Sequence, residues 1–184
     1  VNCDFIGKVA NDEFGKKYIE EIQKTSAKFI NKNRANNPSA KSFILVSNDA
    51  HRTMCTFLGC ASEISEDDIE EESFKDASIL YLEGYLWDSD TTSNALKKAI
   101  NFVKKHRGKI AFSLSDSFCV DRHKADFINL ISNDPILIHM HLPGGDWEDC
   151  LGIYDTIKSS KSKTTILAYS KVPILIWLFI SRAT

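Results

Sequence analysis

Two carboxylates stand where a β-sheet would present them for chemistry. Glu83 directly follows the apolar run Ile79-Leu80-Tyr81-Leu82 and precedes Gly84. A carboxylate at a strand end, beside a residue that permits close approach, can accept two hydrogen bonds from a polyol. A plain surface acid would occupy the same position. Asp116 ends the run 110–115 among Ser113, Ser115 and Ser117, and Arg122, His123 and Lys124 follow shortly. An acid and hydroxyls with a guanidinium nearby can form the edge of a phosphate site. Equally, Asp116 can cap a helix that begins near Asp121, with Arg122 on its surface.

Other chemistry-bearing residues carry less. His139 and His141 alternate as they would on one face of a strand, but no third metal ligand accompanies them. Gly144-Gly145 reads as a turn, because neither GxxxxGK[ST] nor GxGxxG surrounds it. Seven acidic residues between Glu63 and Glu72 read as the solvated face of a helix, with Ser65 as its N-cap and Asp68 three residues on. The five cysteines are widely spaced, lack CxxC or zinc-ladder spacing and are odd in number, which points to a reduced, cytoplasmic chain. No metal site is expected.

Strand and helix alternate along the chain to position these groups. Residues 3–6 read as a strand, 14–30 as an amphipathic helix, 31–39 as a loop, and 43–46 and 52–58 as strands. Residues 79–82 form the next strand, 92–105 a helix ended by Gly108, and 109–114 another strand. The strands near 43–46, 79–82 and 110–114 are expected side by side in one largely parallel sheet. Such sheets place ligands at their strands' carboxyl ends, which here are Asp4/Gly7, Asn48/Asp49, Glu83 and Asp116. Beyond Asp134 the character changes to a weak strand, a helix over 149–158, a strand over 164–169 and an apolar tail over 172–180.

Composition bounds the function. The 184 residues are 43% hydrophobic and 26% charged, which suits one globular domain or part of a larger one. With 23 basic and 25 acidic residues the net charge is −2, so neither nucleic acid nor an anionic membrane surface is an expected partner. The N-terminus has no signal-peptide pattern, and the 172–180 run is far shorter than the ~20 residues that span a bilayer.

Four segments taken together resemble the ribokinase-like, PfkB-type carbohydrate kinase family, in its sugar and adenosine kinase-like branch. They are GKVANDEFG (7–15), DAHRTMCTFLG (49–59), SILYLEGYLWD (78–88) and SLSDSFCVDRHKADFINLI (113–131). The first is similar to the family's G-K-V-G-x-D-x-F-G turn, with Ala10 where glycine is usual. The resemblance covers about residues 1–133. It implies an α/β, three-layer ribokinase-like sandwich with a mostly parallel central sheet, incomplete at both ends, and a small β lid. It further implies transfer of the ATP γ-phosphoryl group to a hydroxyl of a small-molecule sugar or nucleoside, with Mg²⁺ shielding charge, and a homodimer in the intact family. By the same resemblance Glu83 would contact the substrate, and Asp116 and Arg122 would border the phosphate region.

The departures shape the functional expectation. The family's N-x-x-E motif is replaced after Asp134 by PILIHMHLPGG, and its G-A-G-D motif, which carries the catalytic base, does not occur. No catalytic residue is therefore assigned. The expectation is a partial kinase domain over 1–134 with a divergent continuation over 135–184: a fragment of an ATP-dependent sugar or nucleoside kinase, inactive as an isolated chain. The alternatives are a non-catalytic α/β module that binds a sugar or nucleoside, or a gene remnant without function.

Overall fold

A computed structural model of the chain describes residues 2–30, 35–132, 136–140, 158 and 163–168. They belong to two compact units, Val1–Arg122 and His123–Thr184. The first contains β1 (Cys3–Ile6), α1 (Glu13–Gln23), β2 (Ala27–Ile30), β3 (Lys41–Val46), β4 (Arg52–Phe57), β5 (Ile79–Glu83), α2 (Asp90–Lys105) and β6 (Lys109–Ser113). Helix α3 (Ser117–Ile131) crosses the division, with a non-helical backbone at His123.

The expected helix over 14–30 is shorter and gives way to a strand. Thr25 ends it: its hydroxyl bonds back to the Ile22 carbonyl and accepts from the Ala27 amide, after which β2 runs parallel to β1. Phe29 spends its ring on Phe5, 5.8 Å away, and on Tyr18, 5.6 Å away. Aromatic burial against a strand partner outweighs the weak helix preference of such residues.

Asp12 caps α1 and ties it to a distant loop. One carboxylate oxygen accepts from the Gly15 amide and the other from the Ser39 amide, each at 2.8 Å, while the Ser39 hydroxyl accepts from Ala10 N at 2.9 Å. The chains approach so closely that a Cβ on Gly15 would lie 2.0 Å from the Ala10 carbonyl oxygen. The Ser39 hydroxyl, followed by the Gly15 and Ser39 amides, holds the Asp12 carboxyl at about 2 instead of 3.8. A depressed folded-state value stabilises above the unfolded value and loses that contribution as pH falls through the folded one. The stability advantage of the native chain over Asp12→Asn is therefore expected to shrink as pH drops from about 4 to about 2. Chemical denaturation of both proteins across that range checks it, and parallel pH profiles would refute it.

The acidic segment is not a solvated helix face. It folds as short 3-10 turns, Gly59–Glu63, Glu66–Asp68 and Glu71–Phe74, and several of its acids are engaged internally. Asp68 closes a capping box with Ser65 and pairs with Lys8 at 2.9 Å; both residues are buried. Glu63 accepts from the Asn36 and Asn37 amides, and Glu71 pairs with Lys105 and His106. Helix α2 buries Thr92, Ala95, Leu96, Ala99, Ile100 and Val103, a three-and-four spacing that makes one continuous face. That face joins Ile69 and Phe74 in the core, with Leu80 of β5 and Ile110 of β6 packed against it. Gly108 is needed for close approach, since a Cβ there would come within 2.6 Å of the Ala77 carbonyl oxygen; the left-handed residue at this helix end is Arg107.

Strands β5 and β6 pair in parallel, as expected, but 43–46 does not join them. β3 pairs antiparallel with β4 in a hairpin, from Lys41 opposite Phe57 to Val46 opposite Arg52. Only five residues connect the two strands, whereas a parallel neighbour needs a crossover of about a dozen or more. Asn48 and Asp49 thus form a hairpin turn, closed by Ser47 N to His51 O at 3.0 Å, and are not a parallel strand's carboxyl end. Both faces of this ribbon are exposed. In the second unit, β7 (Ile136–Met140) runs parallel to β8 (Thr164–Ala168), matching the two strands expected there. His139 lies on β7; His141, Gly144-Gly145, the expected 149–158 helix apart from Lys158, and the 172–180 tail lie outside the described residues. No helix among the described residues is long and apolar enough to cross a membrane.

Candidate functional site

The parallel register sets Glu83 opposite Ser113, so β5 and β6 end together. Pleating divides β5 into two faces: Leu80 and Leu82 turn toward the core, and Ile79, Tyr81 and Glu83 are exposed. The apolar run is thus only half buried. Leu82 is buried, and below the strand ends the Trp87 ring packs on Phe112 at 5.4 Å, which fixes the platform from inside.

A hydrogen-bond network joins the segments that follow the two strands. Ser115 adopts φ +71°, a left-handed conformation unusual for a residue with a side chain. Its amide donates to Ser113 Oγ at 3.3 Å, and its hydroxyl accepts from Tyr85 N at 3.2 Å. The Tyr85 phenol donates to Asp116 Oδ2 at 2.9 Å, while Asp116 Oδ1 accepts from Cys119 N at 2.7 Å. Asp116 therefore caps α3, which begins at Ser117 and not near Asp121. Arg122 meets Asp88 with two bonds, Nε to Oδ1 at 3.0 Å and Nη2 to Oδ2 at 2.9 Å.

Glu83 accepts from the Tyr81 phenol at 3.0 Å through Oε1, and its second oxygen has no partner among the described residues. The electrostatics follow these contacts. Asp116 raises the Tyr85 phenol through its hydrogen bond, and Glu83 adds to that from a greater distance. Glu83 raises Tyr81 in the same way. Asp88 raises Arg122 further above its ordinary value.

Glu83 and Asp116, the two acids singled out in the sequence, thus sit at neighbouring strand ends and both act on Tyr85. Tyr81, Tyr85 and Asp88 were missed. A signal for Tyr81 was present, because a residue two positions before Glu83 shares its strand face. The pairing of Asp88 with Arg122 spans 34 positions and leaves no local pattern.

Asp116 and Arg122, expected to border a phosphate region, both have partners within the protein. The first-turn amide that would meet a phosphate at the start of α3 is taken by the Asp116 carboxylate, and Arg122 is committed to Asp88. Within Val1–Arg122, no three carboxylate, histidine or cysteine side chains converge as metal ligands among the described residues.

A family model described as the pfkB family carbohydrate kinase matches residues 1–132. None of the curated proteins compared with the chain matches it. Among solved structures it is similar to an adenosine kinase from Sinorhizobium meliloti, with 28% identity and a TM-score of 0.69 over 89% of this chain and 52% of that one. It is also similar to a probable sugar kinase protein from Rhizobium etli CFN 42, with 28% identity and a TM-score of 0.71 over the same shares. A fructokinase with bound ATP from Xylella fastidiosa shares the fold at 9% identity and TM-score 0.66, over 91% of this chain and 57% of that one. The chain spans about half the length of these structures.

Proposed function

The chain belongs to the pfkB family of carbohydrate kinases, and on that premise we propose that it carries the acceptor side of an ATP-dependent kinase acting on a sugar or nucleoside hydroxyl. Glu83 is the acceptor contact in this reading. The observation that carries it is a carboxylate at the shared carboxyl end of two parallel strands, with one oxygen held by Tyr81 and the other without a protein partner among the described residues. The family match over 1–132 supports a kinase portion over 1–134 with a divergent continuation over 135–184. Four described cysteines are unpaired thiols, which suits a reduced, cytoplasmic setting.

ATP is the phosphoryl donor of this reading and Mg²⁺ its counterion, with Asp116 and Arg122 bordering the phosphate region. They do so by fixing the start of α3 and the turn after β5, since their charged groups are already paired. That pairing favours a second reading: a module that binds the acceptor at the same strand ends without transferring phosphate.

Calorimetric titration with ribose, fructose and adenosine tests the Glu83 assignment. Glu83→Gln is expected to weaken the bound acceptor by about 1.5–3 kcal/mol, the scale of a hydrogen bond to a charged group, and to leave any ATP binding unchanged. Undiminished acceptor affinity, or an equal loss toward ATP, would make Glu83 a surface acid.

A further inference from the structure

Tyr81 and Glu83 share the exposed face of β5, two positions apart on the strand. The Tyr81 phenol donates to Glu83 Oε1 at 3.0 Å, so the carboxylate is held by a neighbour on its own strand face.

We infer that Tyr81 is a positioning residue for acceptor binding: it holds one oxygen of Glu83 and leaves the other to receive the acceptor's hydroxyls. This rests on the reading of Glu83 as the acceptor contact. A carboxylate on a flexible two-carbon stem loses rotamer freedom when it binds a ligand, and a bond that fixes it beforehand removes part of that cost. One oxygen retains its lone pairs for ligand donors, which suits the neutral hydroxyls of a polyol and repels an anionic group. Tyr81 touches no reacting atom in this arrangement.

The full chain and its Tyr81→Phe and Glu83→Gln variants test the inference by calorimetry with ribose, fructose and adenosine, alongside thermal melts and ¹³Cζ-tyrosine NMR titration. Tyr81→Phe is expected to weaken the bound acceptor about 3- to 10-fold with Tm unchanged, since the phenol is exposed and its ring is retained. Glu83→Gln is expected to bring the Tyr81 phenol, assigned by its loss in Tyr81→Phe, back toward the ordinary tyrosine range. If Glu83→Gln weakens the acceptor and Tyr81→Phe does not, the positioning role fails and the Glu83 assignment stands. If Tyr81→Phe lowers Tm without lowering affinity, the role is structural and the inference fails. A Tyr81 phenol that titrates alike in the native chain and in Glu83→Gln overturns the positioning role by itself. Absence of acceptor binding by the native chain overturns both.

Discussion

Replacing Lys8 with methionine is expected to destabilise the first unit by about 3–5 kcal/mol, because it leaves Asp68 buried without its charge partner. Both members of the pair are less than 10% exposed, and the ammonium also donates to the Glu63 carbonyl at 3.1 Å. Asp68 cannot escape to water without releasing the Ser65 amide and hydroxyl that it accepts. The Lys8 carbonyl in turn receives the thiol of the fully buried Cys60. For a chain of this size a loss of that order lowers Tm by roughly 2–4 °C per kcal/mol. Lys24→Met is the control: it breaks the exposed pair with Glu21 and should cost under about 1 kcal/mol. Lys8→Met with Asp68→Leu is expected to recover only part of the loss, since the Ser65 groups then lack an acceptor. Urea denaturation of the four proteins decides it; a Lys8→Met cost as small as that of Lys24→Met would show that water reaches the pair.

What was legible in the sequence is what local periodicity encodes. The apolar runs at 3–6, 79–82 and 109–114 pair as strands because β-branched and aromatic residues with turn signals on both sides leave few alternatives. The position of Glu83 at a strand's carboxyl end was legible from the apolar run before it. The failures lie where partners far apart in sequence decide. Phe29 looks helical until Phe5 is beside it. Asp68 looks solvated within a run of acids until Lys8, 60 positions earlier, is placed against it. The 43–46 run has the composition of a sheet strand, but its short connection to β4 makes it a hairpin whose two faces are both exposed. Asp116 and Arg122 were each legible in two ways, and geometry gives each a structural partner: a helix start for one and Asp88 for the other.

No measurable phosphoryl transfer is expected from this chain with ATP, Mg²⁺ and ribose, fructose or adenosine, even where an acceptor binds. Family members of this kind need a base to take the hydroxyl proton, and the G-A-G-D segment that supplies it in the resembled pattern does not occur in these 184 residues. Several acids of the chain are engaged elsewhere: Asp12 caps α1, Asp68 neutralises Lys8, Glu71 holds Lys105 and His106, Asp88 binds Arg122 and Asp116 caps α3. Loss of a positioned base alone removes about 10²–10⁴ in rate. Arg122, bonded through two nitrogens to Asp88, is not available to neutralise charge on a transferring phosphoryl group, and that electrostatic contribution is often the larger one. Against typical kinase rates of about 1–100 s⁻¹ the combined loss lies below the reach of a coupled ADP-release assay. Robust turnover abolished by Glu83→Gln would make Glu83 the base instead of an acceptor contact. Turnover that survives that change would place the base in a residue not assigned any chemistry. Acceptor binding without turnover is the result that the paired state of Asp116 and Arg122 predicts.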